Sequence, residues 1–133
     1  MRQKYRAWDG GSLCRMYSPE EVMVGNGDIW IIDEDGVAGE WIINNDLNLM
    51  QSTGLTDSAG KEIFEGDILK TTDYFSSQYL VEYDLSKAMF VAQEIAAVLK
   101  GEPEPLCELL NKDFTVKIIG DIHTNSELAE VSS

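Results

Sequence analysis

Apolar and polar residues alternate along this chain in short runs. Glycine, asparagine or aspartate breaks most runs before they reach helical length, and a period of two marks strands with one face buried. In "KYRAWDGGSLCRMYS", Lys4 to Trp8 reads as a strand and Leu13 to Tyr17 as its return. The intervening "DGG" is a turn, because aspartate caps nearby backbone and glycine accepts positive φ. "SPEE" is a helix start, with Ser18 as cap and Pro19 first, and "VMVGNG" stops it after at most a short turn. Beyond Gly27, "DIWII" and "GEWII" flank "DEDGVA" as a second hairpin. Trp30 and Trp41 there are large enough to close one side of a core or an interface.

The stretch "TGLTDSAGKEIFEGDIL" mixes glycines and carboxylates with a few apolar side chains, so it reads either as acids held on a loop or as turns between strands. Turn chemistry explains Gly54, Asp57, Gly60 and Gly66, the last inside a strand that is interrupted at Glu65. Ile63, Ile68 and Leu55 form the apolar side, which leaves Lys61, Glu62, Glu65, Asp67 and Lys70 toward water. Residues 86–100 carry two conflicting patterns. A helix capped by Ser86 and stopped at Gly101 fits local propensity, whereas "YLVEY" needs a partner strand, and the surrounding short strands favour a hairpin of Tyr79 to Tyr83 with Ala88 to Gln93. "PLCELLNKD" is a short helical turn, "FTVKIIGDI" a closing strand, and "ELAEVSS" a frayed tail.

With 133 residues and 44% apolar content, the chain has material for one core or two small packed ones. Neither a secretory leader nor a membrane-length apolar run is present, so a cytoplasmic, non-membrane protein is expected. Cys14 and Cys107 have no zinc spacing and read as free thiols. The net charge of -14 disfavours nucleic acid, whose binding draws on cationic groups near phosphates. Residues 16–60 contain no Lys or Arg and nine acids, a field that solubilises the chain and can also steer a basic protein or a cation.

Catalytic chemistry finds little to build on. His123 is the only histidine, and with Asp121 or Glu127 it supplies too few ligands for a metal centre. Glu62, Glu65 and Asp67, joined by Asp121 and His123, are the one carboxylate group that would serve metal-dependent phosphodiester hydrolysis. Asp33, Asp35 and Glu40 lack the twelve-residue oxygen pattern of a calcium loop. No cofactor is expected.

Three blocks, "KYRAWDGGSLCRMYS", "LMQSTGLTDSAGKEIFEGDILK" and "VKIIGDIHTNSEL", together resemble the YopX family of phage and prophage proteins. The resemblance implies a soluble, mainly β domain without an established biochemical activity. Its architecture would be a small partly closed β-barrel, an elaborated N-terminal β subdomain and one or two short helices. On that pattern the chain divides into 1–52, 53–128 and a tail of 129–133. Where relatives read "GDIV" and "IGNIYENPEL", Leu69, Asp121, His123, Thr124 and Ser126 stand here instead. The expected function is a noncatalytic accessory protein that binds itself or a phage or host protein, with Tyr5, Trp8, Trp30 and Trp41 as interface anchors.

Overall fold

A computed structural model describes residues 3–11, 14–32, 40–72, 77–95 and 102–125. Expectations that fall on Leu13, Asp33, Asp35, residues 96–101, Ser126, Glu127 and the tail lie outside the described residues. Among the described residues the fold is mainly β, with one α-helix and one 3-10 turn, and the chain clusters into two units, Met1–Ser52 and Thr53–Ser133. Among the described residues no helix is long and apolar enough to cross a membrane.

In the first unit, β1 (Tyr5–Asp9) pairs antiparallel with β2 (Arg15–Tyr17) through the expected turn. The return strand starts at Arg15 because Cys14, at φ 48, is still turning. Pro19–Glu21 is the short turn expected from "SPEE", and the Glu21 carboxylate accepts the Ser18 N–H at 3.0 Å and pairs with Arg15. The segment after it corrects the sequence reading. Val22–Gly25 is a strand, β3, joined to β4 (Asp28–Ile32) by Asn26 and Gly27 at φ 53 and 79. Positive φ at both central residues gives a hairpin turn whose twist matches its strands. β5 (Trp41–Ile43) completes a β3–β4–β5 sheet, as the second hairpin requires. β6 (Asn48–Thr56) joins β1 through residues 48–51, and the core here is Ala7, Tyr17, Val22, Ile31 and Leu47.

The second unit begins with the rest of β6 and its neighbour β7 (Glu62–Phe64). β8 (Asp67–Thr71), β9 (Gln78–Asp84), β10 (Met89–Ile95), β11 (Glu104–Pro105) and β12 (Val116–Asp121) form a curled, partly closed sheet in the order β11–β10–β9–β8–β12. The helix α1 (Leu106–Leu110) adds Leu106 and Leu109 to a core of Ile63, Leu69, Val81, Ala92 and Val116. Residues 78–95 are thus the hairpin. Its tip rejects the helix because Ala88 sits at φ 52 and the Asp84 carboxylate accepts the N–H groups of Ser86 and Lys87. Tyr83 and Phe90, directly opposite, stack edge to face at 5.0 Å.

Two carboxylates of the central stretch build this unit. Asp57 is buried, with Oδ1 accepting the N–H groups of Ala59 and Lys61, both at 2.9 Å, and Oδ2 accepting that of Ile118 at 3.1 Å. Ser58 adds two further bonds to Val116, so the edge of β12 not paired with β8 is bonded to the 57–60 turn. Asp67 was expected to face water but is only 2% exposed, and its Oδ2 accepts the Phe64 N–H at 2.8 Å. The reason is a corner. At Gly66, φ 89, the chain leaves β7 and opens β8 in another sheet, so one alternation cannot run through both. Gly66 fixes the corner on two sides, donating its N–H to Val81 and accepting that of Ile122.

Gly66→Ala is expected to cost about 1–2 kcal/mol through its left-handed backbone. Asp67→Ala should cost about 1–3 kcal/mol, because it leaves the buried Phe64 amide without its acceptor. Urea unfolding monitored by circular dichroism measures both.

Burial alone would raise the Asp57 pKa, but the N–H groups of Ile118, Lys61 and Ala59 hold it below its ordinary 3.8. A carboxylate whose folded pKa is depressed stabilises the fold above its unfolded pKa, and that contribution is lost as pH falls through the folded value. Asp57→Asn should therefore destabilise at neutral pH, with its deficit against the parent shrinking as pH drops below 3.8. Thermal melts across that window read the difference.

Candidate interaction surface

Side chains alternate across a strand, so the register of β3–β4–β5 decides which residues share a face. Val22, Ile31 and Ile42 form one row, with Val22 and Ile31 entering the core. The opposite face carries Met23, Trp30 and Ile43 in one row and Ile32 beside Trp41 in the next. A strand face turned away from the core is ordinarily polar, yet these five residues are apolar. Met23 is 46% and Ile43 49% exposed, while Trp30, Ile32 and Trp41 are half-buried. Trp30 is fixed within the sheet, donating Nε1–H to the Gly25 carbonyl at 3.3 Å. At one end of the face stands Asp28, whose Oδ1 accepts from Asn45 at 2.8 Å. Glu40, immediately before Trp41, is exposed.

The four aromatic anchors expected from sequence separate into two sets. Trp30 and Trp41 share this face, whereas Tyr5 packs on the first unit's core and Trp8 lies on β1, opposite Met16 and Asn48. Sequence reading missed Met23 because it took β3 for the end of a helical turn. The signal was present, since "NG" between two apolar runs marks a hairpin.

The proposed carboxylate group does not assemble as a metal centre. Among the described residues no three His, Cys, Asp or Glu side chains are grouped to hold an ion. Glu62 and Glu65 are half-buried, and Asp67 caps the corner. Asp121 stands opposite Asp67 in the β8–β12 register, but its Oδ1 accepts the N–H groups of His123 and Thr124 at 3.0 and 2.8 Å. The strand ends at Asp121, so His123 belongs to the following turn and does not share a strand face with it. Gly54 and Gly60 occupy positive φ, at 79 and 84. Cys14 and Cys107 are free and exposed.

The family model for YopX protein matches residues 4–130. A crystal structure of protein EF1440 from Enterococcus faecalis is similar, at TM-score 0.62 and 26% identity, over 97% of this chain and 99% of that one. No curated protein matches the chain.

Met23 and Ile43, the most exposed members of the face, add little to folding. Met23→Ser combined with Ile43→Ser should shift stability by only about 0.5 kcal/mol, whereas Ile31→Ala, on the core side of the same sheet, should cost about 2–5 kcal/mol. Chemical denaturation of the two variants checks the contrast.

Proposed function

The chain belongs to the YopX family, and we propose that it is a noncatalytic phage or prophage accessory protein that works by binding another protein chain. The observation that carries this reading is the apolar face of β3–β4–β5, since a strand face turned away from the core is ordinarily polar and this one sets five apolar residues side by side. Two tryptophans on that face are the side-chain type most often found at the energetic centre of protein interfaces. The competing hydrolase reading has less support, because Asp67 and Asp121 direct carboxylate oxygens at backbone amides of their own turns.

Self-association, expected from the aromatic residues, is one form of this reading. Light scattering over a range of concentrations tests it with the parent and the Met23→Ser, Ile43→Ser variant. A dimer mass lost in the variant would support a second copy on the face, and a single-chain mass throughout would reject it. The noncatalytic part fails if the protein shows metal-dependent phosphodiester turnover that Asp121→Asn abolishes.

A further inference from the structure

We infer that the apolar face of β3–β4–β5 accepts a short segment of a different protein, one that sets Lys or Arg around apolar anchors. The inference rests on the interaction reading above and adds the chemistry of the occupant. Three observations lead to it.

The first is size. Strands spaced about 4.8 Å apart and rising about 3.4 Å per residue give this three-stranded face an area on the order of 200 Å². A standard protein–protein interface buries about 800 Å² on each partner, so the face is too small to hold two whole copies together unaided. A single extended or helical segment needs no more than a few anchor side chains.

The second is charge. The chain carries -14, and residues 16–60, which contain the whole sheet, include nine acids and no Lys or Arg. Asp28 lies on the face and exposed Glu40 adjoins Trp41. Two copies placed face to face would bring like fields together, whereas cations on a partner would meet opposite charge and associate faster. Arg15, on β2, is engaged with Glu21 and lies over the Tyr17 ring at 4.5 Å. Lys4 lines a groove with Met23 and Val24 on the β3 side, whereas Asp28 and Glu40 stand at opposite ends of the β4–β5 pair, where a partner's cations would meet them.

The third is the aromatic content. Trp30 and Trp41 are only half-buried, and an indole face attracts ammonium and guanidinium groups as well as apolar side chains. The face therefore offers apolar contact and cation recognition in the same place.

Three synthetic heptapeptides test the inference on the full chain: alternating lysine with leucine or phenylalanine, the same with glutamate for lysine, and the same with serine for the apolar residues. Binding is read from the indole N–H signals of Trp30 and Trp41 by NMR. The apolar lysine peptide should bind at least about tenfold more tightly than either of the others, and added salt should weaken it. Met23→Ser with Ile43→Ser, folded by circular dichroism, should abolish that binding. Equal binding of the glutamate or the serine peptide, or binding indifferent to the double substitution, would overturn the inference. A dimer dependent on Met23 and Ile43 would also overturn it while leaving the interaction reading in place. If no peptide binds and no such dimer forms, both readings fail.

Discussion

The Asp57 carboxylate ties together parts of the second unit that lie far apart in sequence. Its two oxygens hold the amides of Ala59 and Lys61 within its own turn and that of Ile118 on β12, and Ser58 extends the contact to Val116. A curled sheet that stops short of closing leaves an edge strand with unpaired amides and carbonyls, which invites pairing with another chain. Here a turn covers that edge, so closure comes from one acid and one serine instead of a further strand. Because β12 also pairs with β8, the same acid supports the strand that borders the Gly66 corner.

A single device recurs across this acidic chain. Asp57, Asp67, Asp84 and Asp121 each accept backbone N–H groups at a turn or corner. Buried amides left without acceptors would cost about 1–3 kcal/mol each, and a carboxylate satisfies two or three at once. Their number near turns therefore reflects backbone geometry before any chemistry on a substrate. At Asp84, the Ser86 hydroxyl and the amides of Ser86 and Lys87 hold the carboxyl below its ordinary range, and at Asp57 three amides do the same against the effect of burial. Low pKa values here follow from local capping.

Much of the fold was legible in the sequence, and each failure has its own physical cause. The hairpins at β1–β2, β4–β5 and β9–β10 declared themselves by alternation bounded by turn residues, and the closing strand by its apolar run. Local propensity around Ser86 favoured a helix, but the need of "YLVEY" for a partner decided correctly, since sheet pairing is a tertiary requirement that propensity does not register. Asp67 was misread because alternation was carried across Gly66, where the chain changes sheets. β3 was misread because the cap and proline of "SPEE" were given more weight than the "NG" turn after "VMV". The apolar face was half legible. Trp30 and Trp41 stood out by size, but their neighbours Met23 and Ile43 come from strands on either side of β4, and only the register brings them into one row.

The family model spans residues 4–130 and so includes the apolar face, but the three blocks that first suggest the family lie outside that face. The three blocks that carry the resemblance run over residues 4–18, 49–70 and 116–128, where the chain forms β1, its turn, the Asp57 turn, the Gly66 corner and the closing strand. Those blocks record how the chain closes its sheets. Met23, Trp30, Ile32, Trp41 and Ile43 all lie between the first and second blocks, in a sheet whose other face already serves the core. The three blocks thus account for the framework and carry none of the residues of the apolar face. An occupant of the proposed site would meet the apolar area and indole faces of these five side chains, in a stretch, residues 16–60, that contains no Lys or Arg.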